Sequence, residues 1–154
     1  MTHRELCKAG AVFMKKNGIA KWQKPTYVVC ELERYGESPD VFGFGGARTQ
    51  LLEIKISHSD FLADKKKMWR INPENGLGEL RSYLCMEGVI SLKELPESWG
   101  LIYCNEKKEM TIIKEPNIQK SSSYQEMCLA ASLLRRENIK PKIFTYKKYK
   151  NDID

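Results

Sequence analysis

The chain has 154 residues, 42% hydrophobic and 30% charged, with a net charge of +6 and a pI near 9.0. That length supports one domain with its own core rather than two, and the composition excludes wholesale disorder. No apolar run in the sequence reaches the length of a membrane span and the N-terminus lacks a signal-peptide apolar segment, so a cytoplasmic protein without membrane contact is expected.

Residues 3–16 read as a helix. Leu6, Gly10 and Phe13 share one face, Cys7, Ala11 and Met14 lie beside it, and Asn17-Gly18 supplies the stop. Residues 27–32 form a strand that ends at Tyr35-Gly36-Glu37-Ser38. Residues 39–44 and 50–56 are two further runs joined by Gly45-Gly46-Ala47-Arg48, a hairpin signature. Ser57 to Ser59 caps a helix over 60–68, whose acidic start and basic end suit the helix dipole. Residues 71–79 are loop-like, and 82–86, 99–104 and 111–114 read as strands. A helix returns over 122–137, where Tyr124, Met127, Cys128, Ala131 and Leu134 keep a 3.6-residue stripe. The expectation is an α/β protein, a mixed central sheet flanked by helices, in one domain over 1–140 with a basic tail over 141–154.

Five cysteines (Cys7, Cys30, Cys85, Cys104 and Cys128) sit singly, with no CxxC pair, and His3 and His58 are the two histidines. Buried reduced thiols explain them better than a zinc site does. The positive charge is clustered. Lys65, Lys66, Lys67 and Arg70 form one group. Arg135, Arg136, Lys140, Lys142, Lys147, Lys148 and Lys150 form another. Such patches suit a polyanion, although mild basicity also serves solubility.

The chemistry concentrates in the hairpin. With the turn at 45–48, Phe44 pairs with Thr49 and the antiparallel register sets Asp40 opposite Glu53. Lys55 falls on the same face, while Leu52, Ile54 and Ile56 point the other way into the core. Two apposed carboxylates repel unless something neutralises them, and a hard divalent cation, Mg²⁺ or Mn²⁺, does so. Such an ion can hold a phosphate oxygen and activate water, with Lys55 orienting or deprotonating that water or offsetting charge on the phosphate. A solvated strand face with a Glu–Lys neighbour pair is the plainer alternative.

Gly43-x-Gly45-Gly46 lacks a following helix and the Lys-Ser/Thr of a phosphate loop, so it is read as turn geometry, with no nucleotide cofactor. Asp60 and Asp64 are read as helix N-terminal acids in preference to groups supporting the site. Trp69 and Trp99 are read as packing residues. Lys65, Lys66 and Arg70, on the helix after the catalytic strand, and Arg81, at a strand start after a glycine-rich loop, are the candidate nucleic-acid contacts.

Pro39-Asp40 followed by Glu53-x-Lys55 on the next strand resembles the PD-(D/E)XK nuclease superfamily. The run from Glu53 to Lys66 is similar to the E-x-K-x-S-x-x-D-F-x-x-D-x-K block of MmcB-like DNA-repair proteins, and closer still to small bacterial and mobile-element proteins of that branch. Pro73-Glu-Asn-Gly-Leu-Gly-Glu-Leu-Arg81-Ser-Tyr83 and Glu94-Leu-Pro-Glu-Ser-Trp99-Gly-Leu extend the resemblance over roughly residues 1–115. It implies a restriction-endonuclease-like αβββαβ core, Asp40 and Glu53 as metal ligands with the Ile54 carbonyl as a third, and Lys55 as the catalytic lysine. Many members carry a further acid on the first helix or first strand. Glu5 and Glu31 are the candidates, and Glu31 is preferred because its strand neighbours the hairpin. The implied activity is Mg²⁺- or Mn²⁺-dependent hydrolysis of DNA in repair, recombination or mobile-element processing. The alternative is a non-catalytic DNA-binding module that keeps the fold, with a protein partner or a homodimer completing it.

Overall fold

The computed structural model describes residues 1–146, and most elements form close to where the sequence pattern puts them. Helix α1 (His3–Asn17) starts at a capping box, in which the Glu5 N–H donates to Thr2 Oγ1 and the Thr2 N–H donates to Glu5 Oε2. Three antiparallel strands follow, β1 (Tyr27–Cys30), β2 (Val41–Phe44) and β3 (Gln50–Lys55). Gly45, at φ +82°, takes the left-handed step that lets β2 turn back into β3.

Helix α2 (His58–Asp64) is capped by Ser57, whose hydroxyl accepts the Asp60 N–H. The single helix expected over 60–68 is in fact broken. Lys67 is extended, and a second short helix, α3 (Met68–Ile71), starts after it. The break turns the Lys67 and Arg70 side chains toward the carboxylate of Asp64, the last residue of α2. Strands β4 (Leu80–Met86), β5 (Gly100–Cys104) and β6 (Met110–Lys114) and helix α4 (Ser123–Arg136) complete the described fold.

The strands lie in one sheet in sequence order. β3–β4 and β4–β5 are parallel and the remaining pairs antiparallel. The central strand β4 is buried along nearly its whole length, as a strand covered on both faces must be. On one face α1 packs Leu6, Cys7 and Met14 against Val41, Leu52, Ile54, Leu84 and Ile102. Gly10 makes that approach possible, since a Cβ there would come within 2.8 Å of Leu84 Cδ2. On the other face Phe61 of α2 joins Leu51, Tyr83, Cys85, Trp99 and Leu101. Leu129 of α4 meets Phe42, Leu32 and Leu77 in a third cluster.

Ile56, expected in the core, is 53% exposed because β3 ends one residue before it. Trp99 is buried and stacks on Tyr83 with ring centroids 4.3 Å apart, the packing role expected of it. All five cysteines are free thiols. Among the described residues no helix is long and apolar enough to cross a membrane. The tail lysines Lys147, Lys148 and Lys150 lie outside the described residues.

A candidate metal centre beside a buried charge network

Strands β2 and β3 pair with Val41 opposite Leu52 and Phe42 opposite Leu51. One further step in that register sets Asp40 opposite Glu53, the arrangement expected from the turn. Asp40 sits just before β2. Its carbonyl accepts the Glu31 N–H at 2.8 Å, and its Oδ2 accepts the Ile54 N–H at 2.8 Å. Within a strand a residue's N–H and C=O point to the same side, so the Ile54 carbonyl also faces beyond the end of β2. Burial raises the Asp40 pKa, and the charge of Glu53 raises it further against the opposing pull of the Ile54 N–H, Lys55 and His3.

Glu53 and Lys55 do not lie on a solvated strand face. Their side chains are 3% and 4% exposed, covered by the α2–α3 segment. Lys55 Nζ stands 3.3 Å from Glu53 Oε2 and 3.3 Å from Asp64 Oδ1. Arg70 reaches Glu53 at 3.1 Å, Asp64 at 2.8 Å and Glu37 at 2.5 Å. Lys67 reaches Asp64 at 2.8 Å, and the Tyr83 hydroxyl donates to Asp64 Oδ2 at 2.8 Å. Three carboxylates (Glu37, Glu53 and Asp64) therefore meet three cations (Lys55, Lys67 and Arg70). The network balances.

Asp64 is its hub, and not the N-terminal helix acid that the sequence suggested. Burial alone would raise its pKa, but Arg70, Lys55 and Lys67 overcome that and hold it well below the ordinary carboxylate range. Lys55 shows the same contest with the opposite charge. Burial pulls its pKa down, yet Glu53, Asp64, Asp40 and Asp60 together leave it raised. Lys55 is thus an ammonium at neutral pH, suited to stabilising negative charge and unsuited to accepting a proton.

The candidate nucleic-acid contacts divide. Lys65 and Lys66 are exposed on the turn after α2, with Lys65 Nζ donating to the Glu94 carbonyl at 3.0 Å. Arg70 is taken up by the network, its side chain 5% exposed. Arg81 is fully buried and donates to the carbonyls of Gly78, Trp69, Pro73 and Lys120, and burial pushes its pKa down to about 10. Its guanidinium closes the loop before β4 and has no face left for a phosphate.

Glu5 caps α1, and the Glu31 backbone N–H donates to the Asp40 carbonyl. The Glu31 carboxylate, however, gathers with His3 and Cys7. Asp40, Glu53 and the Ile54 carbonyl are the oxygen groups at this end of the β2–β3 pair, and the Asp40 pKa is raised first by burial and then by the Glu53 charge.

Sequence reasoning missed Glu37, the inward turn of Lys67 and the pairing of His3 with Cys7. The Asp64, Lys67 and Arg70 spacing of three and the His3, Cys7 spacing of four were the available signals. Glu37 carried none. A broad apolar groove lies elsewhere, between α1 and α4 along β1, lined by residues such as Val12, Tyr27, Met127 and Leu134, and it holds none of this chemistry. No family model, curated protein or solved structure matches the chain.

Proposed function

We propose that this chain is a metal-dependent nuclease-fold protein that hydrolyses phosphodiester bonds in DNA, in repair, recombination or mobile-element processing. The carrying observation is the β2–β3 register, which opposes Asp40 to Glu53 with Lys55 two residues on. The order α1-β1-β2-β3-α2-α3-β4, with the short α3 additional to the pattern, supports a restriction-endonuclease-like αβββαβ core of the PD-(D/E)XK kind, with the MmcB-like branch as the specific resemblance.

Asp40, Glu53 and the Ile54 carbonyl would hold Mg²⁺ or Mn²⁺. When bound, the ion would polarise the phosphate and lower the pKa of a coordinated water. The chain's own contribution is electrostatic. Lys55, fixed between Glu53 and Asp64, presents a permanent positive charge beside the acids. Arg70 and Lys67 hold Glu53 and Asp64 in place, and Lys65 and Lys66 offer exposed charge to a passing backbone. In this reading Lys55 acts as a cation and not as the general base.

A second reading has a specific observation behind it. Glu53 and Lys55 are both nearly buried and already neutralised within the network. That favours a DNA-binding module, assembled with a partner or a second copy, that keeps the fold without cutting. Nicking of supercoiled plasmid with Mg²⁺ or Mn²⁺ separates the two. The enzyme reading expects cleavage by wild type and loss of at least roughly a hundredfold in Asp40→Asn and Lys55→Ala. Equal nicking by all three proteins rules out this site. Salt-dependent DNA binding with no cleavage under either ion selects the module.

A further inference from the structure

A second group of ligand atoms lies beside Asp40 and draws on Glu31, the further acid that the resemblance offered to the hydrolytic metal. His3 and Cys7 stand four residues apart, on one face of α1. Glu31 follows β1 directly. One ligand atom from each of the three lies within 4.8 Å of the others. We propose that His3, Cys7 and Glu31 form a zinc site, with His3 Nδ1, Cys7 Sγ and the Glu31 carboxylate as ligands and Asp40 as a positioning residue.

The donors suit a borderline-soft cation. Nitrogen, thiolate and carboxylate together are zinc chemistry, and three protein ligands leave a fourth position for water. Tetrahedral zinc, with bonds of about 2.0–2.3 Å, needs its ligand atoms roughly 3.3–3.8 Å apart. His3 Nδ1 and Cys7 Sγ are already 3.5 Å apart, and because Nε2 is also 3.9 Å from the sulfur, the part-exposed imidazole must turn to aim its Nδ1 lone pair at the metal position. The remaining approach falls to Glu31, whose side chain is 39% exposed and is held only loosely by Arg4 at 3.9 Å.

The other nitrogen of His3 faces Asp40 Oδ1 at 3.4 Å. A carboxylate behind a metal-bound imidazole fixes the tautomer and ring orientation, and that arrangement recurs around zinc. Here it leaves Nδ1 free to accept the metal beside the thiol. Glu31 itself adopts φ +52°, a left-handed conformation that is strained for a side chain of this kind. Its N–H donates to the Asp40 carbonyl, so the strain is held by the backbone that carries Asp40. Cys7 is fully buried, while His3 and Glu31 keep an approach open to solvent. On binding, the Cys7 thiol releases its proton to solvent and the sulfur lone pair forms the metal bond.

The test uses the full chain, stripped of metal and titrated with Co²⁺ as a spectroscopic stand-in for Zn²⁺. One equivalent should produce a thiolate-to-cobalt charge-transfer band and visible bands of tetrahedral intensity. Zn²⁺ should abolish both, and excess Mg²⁺ should leave both in place. Cys7→Ser, checked for folding by circular dichroism, should lose the charge-transfer band. His3→Ala and Glu31→Gln should weaken Co²⁺ binding by tenfold or more, and Asp40→Asn by roughly tenfold. Absence of the charge-transfer band in wild type, or its persistence in Cys7→Ser, overturns the proposal. The readout involves no DNA, so its outcome is independent of whether the chain cleaves.

Discussion

Replacing Asp64 with Asn tests whether the buried network holds the α2–α3 segment on the sheet. The Asp64 side chain has no solvent exposure and contacts Lys55, Lys67, Arg70 and Tyr83. Asparagine keeps the shape but removes the charge, and its amide group sets a donor against donors. The three cations, nearly buried Lys55 and Arg70 and half-exposed Lys67, are then left facing Glu37 and Glu53 alone, an excess of one positive charge. Breaking a buried pair on one side costs about 3–5 kcal/mol, which applies to the contacts with the nearly buried Lys55 and Arg70, while solvent screens the half-exposed Lys67. In a domain of this size that lowers Tm on the order of 10 °C. Urea denaturation of both proteins at neutral pH measures the cost as a shift in midpoint at constant slope. The folded-state pKa of Asp64 is depressed, so its stabilising effect is present above the ordinary carboxylate pKa and fades as pH falls below it. The gap between wild type and variant should therefore narrow below about pH 4. A difference under about 1 kcal/mol at neutral pH, or one that does not narrow in acid, would refute the account of Asp64 as hub.

Two further variants probe the assignments around the site. Arg81→Met strands carbonyls that its guanidinium now satisfies and should destabilise by at least about 2 kcal/mol in urea, while leaving the salt dependence of DNA binding unchanged. Lys66→Gln should do the reverse, lowering the slope of log K against log salt by about 0.9 with stability preserved. A slope change in Arg81→Met would restore a phosphate role to that residue. Gly100→Ala drives a Cβ into Ser82 Oγ and to within 2.7 Å of the Lys114 carbonyl oxygen, and should cost about 1–3 kcal/mol. An unchanged urea midpoint would show that β5 has more room than its contacts with β4 and β6 allow.

Much of the fold was legible because its signals are local. The 3.6-residue stripe of α1, the alternation in β2 and β3 and the glycine turn between them are read over a few residues each. Together they set the register that opposes Asp40 to Glu53. Helix α2 was legible at its start, where Ser57 caps it, and not at its end, Asp64, whose carboxylate meets Lys55 of β3 and Tyr83 of β4.

The sequence by itself determined the carboxylate pair, the lysine beside it and the sheet that carries them, since side-chain alternation and turn length leave little freedom. Only the tertiary structure decided what covers that face. Alternation states which residues share a side of a strand but says nothing of the segment that comes to lie on it. Glu37 arrives from the β1–β2 connection and Asp64, Lys67 and Arg70 from the α2–α3 segment, and together they turn an apparently solvated pair into a largely buried, balanced network. Arg81 is sealed by loop carbonyls in the same way, and α1 brings His3 and Cys7 to Glu31. Each of these depends on contacts between residues distant in the chain.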